Sequence, residues 1–310
     1  MDVLTNNTSA RTELHDPLVL VLVRLMLACT GIIANSIVMF VFIYNKTYKK
    51  SLSRKLLLHQ TVIDLTGSVM FLIFYNTDVP DGTGGTIFCK MQFLFVYTSA
   101  TSTFNFVMLT IERYTAVVHP LLYRQKSLDG KFRYLSLISP HVIGLILTGS
   151  IPIHADIHPT VKECKPTEIN AGTGVLSIVV NWMIPVCIML YCYVRMMLKL
   201  RKKRTVSQQP SSESQPRNFG RVQTFKSDLL STLILIASVY IVTVTPFSVF
   251  YFIYFISDNY NYIFHELSVM FLELNLTINP FIYCLVYKDF QRGLYKIRQD
   301  IFLSLETPNT

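Results

Sequence analysis

Charge is what this chain is short of. Only 15% of its 310 residues are Asp, Glu, Lys or Arg, where a soluble domain carries about 25%, and the mean hydropathy is +0.40. That scarcity excludes an ordinary water-soluble fold. Tryptophan is nearly missing as well, with Trp182 the sole example. The first 16 residues are polar, without a basic start or a small-residue cleavage site, so no removable leader is read there. They are also too few for a large ligand-binding ectodomain. No internal repeat is present. The glycine-rich stretch Asp81-Gly82-Thr83-Gly84-Gly85 lacks the following Lys and the strand-to-helix setting of a phosphate loop, so it reads as a turn. His154 and His158 have metal-compatible spacing, but Pro159 and the end of a helix argue for a loop. No enzyme chemistry is expected.

What is present is apolar sequence in long runs. A membrane-spanning helix needs roughly 20 mostly apolar residues, because each backbone polar group in lipid must be satisfied within its own segment. Seven stretches qualify: 17–44, 54–77, 86–118, 133–154, 172–200, 226–256 and 262–286. An amphipathic run from Lys288 to Arg298 follows. The expected fold is therefore an all-α membrane protein, a seven-helix bundle with a short cytoplasmic amphipathic helix. Its parts are a tail over 1–16, the bundle over 17–286, and the amphipathic helix and tail over 287–310. A Ser-, Gln- and Pro-rich loop at about 202–222 lies between the fifth and sixth helices; such composition buries too little apolar surface to order itself.

The net charge of +9 invites a nucleic-acid reading, but the basic residues sort between loops in a way that explains it otherwise. Lys46, Lys49, Lys50, Arg54 and Lys55 share one side with Arg124, Lys126, Lys131, Arg133 and the block from Arg195 to Lys226. The opposite side is richer in acids, among them Asp78, Asp81, Glu163 and Glu266. The positive-inside rule then places the N-terminus outside and the C-terminus in the cytoplasm of a multi-pass protein, for which the plasma membrane is the expected location. No nucleic-acid partner is expected; the basic loops suit an anionic inner leaflet or an acidic partner surface. Asn6 and Asn7 become overlapping glycosylation acceptors on the outer side. Cys29, Cys187, Cys192 and Cys284 lie in the interior of spans, which leaves Cys89, at the outer end of the third, and Cys164 facing the oxidising side as the expected disulfide.

Polar residues inside the spans are costly and so are candidates for function. Asp64 lies mid-helix, with Asn35, Ser102, Asn275 and Asn279 at comparable depth. A carboxylate among amide and hydroxyl oxygens suits a small hard cation with retained waters, a water network, or a protonated Asp bonded between helices. Glu112-Arg113-Tyr114 ends the third span, 24 residues after Cys89, which is roughly 36 Å of helix. Glu112 can hold Arg113 locally in one state and release its donors in another.

In that order, Asn35, Asp64, Cys89, Glu112-Arg113-Tyr114, Pro120, Pro185 with Tyr193, Pro246 and Asn279-Pro280-x-x-Tyr283 resemble the landmarks of rhodopsin-like (class A) G-protein-coupled receptors. The resemblance covers residues 17 to 300. It implies a ligand-gated switch in which the inner end of the sixth helix swings outward to expose a groove for a heterotrimeric G protein, with arrestin and receptor kinases as further partners. It also implies active-state contacts among Arg113, Tyr193 and Tyr283, and a sodium and water pocket of Asn35, Asp64, Ser102, Asn275 and Asn279. Three departures stand out: His141 or Val142 near the position of the fourth-helix Trp, Val244 in place of the sixth-helix Trp, and Lys226 with Asp228 in place of an inner acid facing Arg113.

The same resemblance bears on the ligand. The amine-binding Asp position holds Phe95 and the retinal Lys position holds Glu273, against both a monoamine and retinal. Arg24 is the one basic residue near Glu273 in depth, so Glu273 either pairs with it or anchors a cationic ligand group. Phe247 and Tyr251 lead an aromatic group toward the outside. Arg24, Phe95, Phe247, Tyr251 and Glu273 form the expected ligand pocket, with a small basic peptide as the first ligand and a lipid or small organic molecule as the second. Two rivals stay open: a constitutive, ligand-independent partner protein, and an ion-coupled transporter using Asp64 and Glu273.

Overall fold

The structure is a computed structural model, which describes residues 17–49, 51–157, 164–166, 171–207, 217–257 and 261–306. Asn6, Asn7 and the rest of the 1–16 tail lie outside the described residues. Among the described residues, seven helices are long and apolar enough to cross a membrane: Leu18–Tyr44, Leu52–Tyr75, Thr83–Val118, Gly130–His154, Ala171–Arg201, Ile234–Ser257 and Tyr262–Val286. They are called the first to seventh helices below. Together they form the expected bundle.

Local chemistry explains where these helices start. Ser51 caps the second by accepting from Arg54 N at 3.4 Å, and Asn261 caps the seventh by accepting from Phe264 N at 3.0 Å. Both supply an oxygen to an N–H that has no partner inside its helix. Gly82, with φ of 64°, opens the third helix, a backbone turn that a residue without Cβ takes at little cost. The fifth helix is interrupted by a π-turn at Val179–Met183. Pro246 and Pro280 lie inside the sixth and seventh helices, where each removes one backbone hydrogen bond and permits a kink.

The bundle is polar inside and apolar outside, the pattern lipid demands. Leu18, Ile37, Leu145, Val242 and Leu285 face outward and are exposed, while Asn35, Asp64, Ser102, Asn105 and Glu273 are fully buried. The third helix runs through the middle, burying residues from Phe95 to Glu112 along its length. At the inner surface the final helix, Lys288–Glu306, docks on the first: Phe290 packs on Phe42 and Asn45 Nδ2 donates to Gly293 O at 3.2 Å. Arg54 pairs with Asp289 there.

Two features differ from the sequence reading. The loop expected over 202–222 is shortened from both ends, because helix continues to Ser207 and resumes at Arg217. Leu, Lys and Arg, which fill the stretch from Leu198 to Arg204, are good helix formers even without tertiary support. The other addition is a two-stranded antiparallel hairpin, β1 (Ala155–Ile157) with β2 (Cys164–Pro166), between the fourth and fifth helices. Cys164 in β2 is bonded to Cys89 on the third helix, as expected, across 75 residues. Closing a loop of that length restricts the unfolded chain by about 4 kcal/mol in the chain-entropy model.

Candidate functional site

The functional region has three storeys along the third helix. At the outer end, the third to seventh helices and the hairpin enclose a cavity of about 580 Å³, within the range of small-molecule sites. Val244, Phe247, Tyr251, Phe255, Ile178 and Leu272 give it an apolar body. Among the described residues no Asp, Glu, Lys or Arg lines it. Its polar groups include Ser99 on the third helix, Asn181 and Trp182 in the π-turn of the fifth, and Gln92, His154 and His265 nearer the outside. Asn181 Nδ2 donates to Ser177 O at 3.0 Å. Its Oδ1, Trp182 Nε1 and Ser99 Oγ are buried without a hydrogen-bond partner among the described residues. A turn with five residues in place of four is a common way of aiming side chains into a site.

Two of the five expected ligand residues, Phe247 and Tyr251, do line this cavity, their rings 4.7 Å apart. The other three do not. Phe95 is fully buried between Phe71 and Tyr75, at centroid distances of 5.3 and 5.2 Å. Arg24 does not reach Glu273; its Nη1 lies 2.7 Å from Glu266 Oε2, two turns nearer the outside. Glu273 instead accepts from Thr277 Oγ1 at 3.1 Å on its own helix, in a crevice against Gly31 and Ser68. The expected anchor for a ligand cation is therefore outside the ligand cavity.

The middle storey is built on Asp64. Its Oδ1 accepts from Gln60 Nε2 at 2.7 Å and from Ser102 Oγ at 3.0 Å, and its Oδ2 accepts from Asn279 Nδ2 at 2.8 Å. Ser102 and Asn279 match the sequence reading. Asn35 and Asn275 are close by but serve other partners. Asn35 Nδ2 donates to Leu276 O at 3.1 Å, tying the first helix to the seventh. Asn275 Oδ1 accepts from Thr243 Oγ1 at 3.1 Å, tying the seventh to the sixth. Gln60 is an addition, although its place four residues before Asp64 puts both on one helix face. The groups around the carboxylate present hydrogens, and a sodium ion needs oxygen lone pairs; the donor set as arranged does not fit the ion.

The inner storey holds Arg113. Its Nε lies 2.9 Å from Glu112 Oε2. That carboxylate also accepts from Ser53 Oγ at 2.5 Å and Tyr123 Oη at 2.8 Å, two partners that no motif announces. Burial, and after it the Glu112 charge, pushes Tyr123 up to about 12. Since this lies above the ordinary value of about 10, the bond is intact below pH 10 and is lost as pH rises through about 12. Tyr123 thus stays a donor throughout the physiological range. Tyr114 packs on His119 and Tyr191. Tyr193 Oη meets Thr110 Oγ1 at 3.0 Å, and Tyr283 is fully buried beside Phe42 and Tyr287, below Asn279 and Pro280. Arg113, Tyr193 and Tyr283 each have separate surroundings here. The arrangement in which Glu112 holds Arg113 on its own helix is called closed below.

Sequence comparison agrees with this geometry. The family model described as "7 transmembrane receptor (rhodopsin family)" matches residues 34–283. The chain is 24% identical to rat G-protein coupled receptor 183 over 337 residues, covering 99% of this chain and 87% of that protein. It is 24% identical to the rhodopsin of Leucoraja erinaceus, over 86% of this chain and 76% of that one. A third relative, dopamine receptor 3 of Caenorhabditis elegans, is 23% identical over 66% of this chain and 36% of its own length.

Proposed function

Since the chain belongs to the rhodopsin family of seven-transmembrane receptors, we propose that it carries an extracellular chemical signal across the plasma membrane to a heterotrimeric G protein. The N-terminus is outside and the basic inner loops face the partner. One observation supports this above the others: a single helix, the third, walls the outer cavity at Ser99 and carries the closed Glu112–Arg113 pair at its other end. Tilting or rotating that helix relative to the sixth would couple the two ends. Arrestin and receptor kinases belong to the same proposal as later partners of the opened inner face.

The cavity favours a ligand that is uncharged and mostly apolar, with one hydrogen-bonding edge. A buried carboxylate, ammonium or guanidinium facing a neutral ligand would be costly, and among the described residues none lines the cavity, where the titratable bases are the imidazoles of His154 and His265. A hydroxyl or carboxamide would give Trp182 Nε1 an acceptor and Asn181 Oδ1 a donor. The small organic molecule therefore comes before the basic peptide. A peptide keeps one observation in its favour, the exposed Asp78 and Asp81 at the outer rim beside the third helix.

The test uses the full chain in lipid nanodiscs with purified heterotrimeric G protein. Nucleotide exchange is followed while neutral hydroxylated and amide amphiphiles, and separately basic peptides, are added. Exchange that rises with the neutral set supports the reading, and a rise with peptides alone moves the ligand to the rim. Exchange that is high and unaltered by every addition would establish the constitutive alternative. Ion flux in proteoliposomes without exchange would establish the transporter. For an active neutral compound, Asn181→Leu and Trp182→Phe are each expected to lower potency about tenfold, the cost of one buried hydrogen bond to a polar edge. Asn181→Leu also removes the Nδ2 bond to Ser177, and Trp182→Phe removes part of an indole packed on the core, so the melting temperature of each empty variant is measured alongside potency.

A further inference from the structure

We propose that the side-chain amide of Gln60 takes the place of a cation at Asp64, and that the polar centre of this receptor is therefore indifferent to sodium in its closed state. Asp64 is fully buried, and three donors meet its two oxygens. Gln60 also blocks the nearest alternative ligand, because its Nε2 donates to Ser102 Oγ at 2.5 Å. An ion entering beside Asp64 would have to displace an N–H from both oxygens.

Gln60 cannot present its carbonyl by simply turning over, because a chain of bonds fixes its orientation. Its Oε1 accepts from Asn105 Nδ2 at 2.7 Å, so a turned amide would set one NH₂ against another. Asn105 is held in turn. Its Nδ2 also donates to the backbone oxygen of Leu56 at 3.1 Å, and backbone carbonyls do not exchange roles. Asn105 Oδ1 must then accept from His59 Nδ1, 3.0 Å away.

That assignment propagates outward. His59 Nδ1 carries a hydrogen, so in the neutral ring Nε2 accepts from His141 Nε2 at 2.8 Å. His141 Nδ1 is left to accept from Tyr97 Oη at 2.9 Å. The result is a one-way chain, Tyr97 to His141 to His59 to Asn105 to Gln60 to Asp64, in which each group has a single orientation that satisfies its neighbours. It crosses the second, third and fourth helices. His141 also lies near the position where the family resemblance leads one to expect Trp, so the fourth helix contributes a polar link there in place of an indole.

Gln60 is thus a positioning residue, and its test is a response that the native receptor lacks. The full chain in nanodiscs is melted without ligand in sodium chloride and in N-methylglucamine chloride at equal ionic strength. The native receptor is expected to differ by less than about 1 °C between the two, whereas Gln60→Leu should melt several degrees higher in sodium, as ion binding to the folded state alone requires. Adding Asp64→Asn to Gln60→Leu should abolish that gain. Asn105→Leu, which keeps Gln60 but frees its amide to turn, should reproduce it and serves if Gln60→Leu does not fold. A native receptor already stabilised by sodium through Asp64 overturns the proposal, as does a folded Gln60→Leu that ignores the ion. Signalling is not read in this experiment, so either result leaves the receptor reading intact.

Discussion

Glu266→Ala is expected to destabilise the receptor by about 3 to 5 kcal/mol, the usual cost of removing one partner from a buried ion pair. Arg24 and Glu266 side chains are 8% and 7% exposed, and their 2.7 Å contact joins the first helix to the seventh near the outer surface. Removing the carboxylate takes a described counter-charge away from a largely buried guanidinium. Surface expression at 37 °C should fall sharply, and the melting temperature of the protein that remains should drop. Arg24→Leu combined with Glu266→Leu should recover most of the loss, because apolar residues of similar volume seldom do worse than a buried pair. Glu273→Gln provides the contrast. Glu273 bonds to Thr277 on its own helix and is not reached by Arg24, so an amide there should keep the melting temperature within what about 1 kcal/mol would move. Equal damage from Glu266→Ala and Glu273→Gln would contradict the pairing.

That pair shows what could and could not be read in advance. Depth is the right criterion, but it has to be counted from the helix ends. Arg24 is six residues below Leu18 and Glu266 four below Tyr262, while Glu273 is eleven below it. Reading Glu266 as a surface acid hides the match. The seven helices were legible because lipid imposes a hydropathy signal on every span, and the disulfide because location had already removed four cysteines. Asp64, Ser102 and Asn279 were legible because a buried polar residue in lipid calls for partners. Gln60, His59 and His141 escaped because each resembles an isolated polar residue until the crossing of the second, third and fourth helices brings them together. The cavity lining was only half legible for a similar reason. Phe95 and Val96 are adjacent in sequence, yet Val96 faces the cavity and Phe95 packs against Phe71 and Tyr75. The π-turn that aims Asn181 and Trp182 inward leaves no mark in composition.

At the inner end, Arg113→Ala and Glu112→Gln should act in opposite directions. In the closed arrangement Arg113 is held by Glu112, which Ser53 and Tyr123 hold in place. A carboxamide in place of the Glu112 carboxylate would be nearly the same shape and could still accept from Tyr123, so the substitution removes mainly the charge that retains Arg113. Side chains of the sixth helix at Lys226 and Asp228 lie outside the described residues, and Lys226 stands where the family resemblance would put an acid opposite Arg113. With Glu112 as the described restraint, its neutralisation should shift the population toward the open form. A coupling of about 1 to 3 kcal/mol, typical of such switches, raises basal nucleotide exchange by about 5-fold or more. Arg113→Ala removes the cation that opening would release to the partner. Loss of an arginine anchor at an interface centre costs about 2 kcal/mol or more, roughly a 30-fold drop in coupling affinity. The double variant should follow Arg113→Ala, with exchange low whether or not ligand is present. If Glu112→Gln leaves basal exchange unchanged while Arg113→Ala abolishes the stimulated signal, Arg113 serves the partner but Glu112 is not what holds it closed.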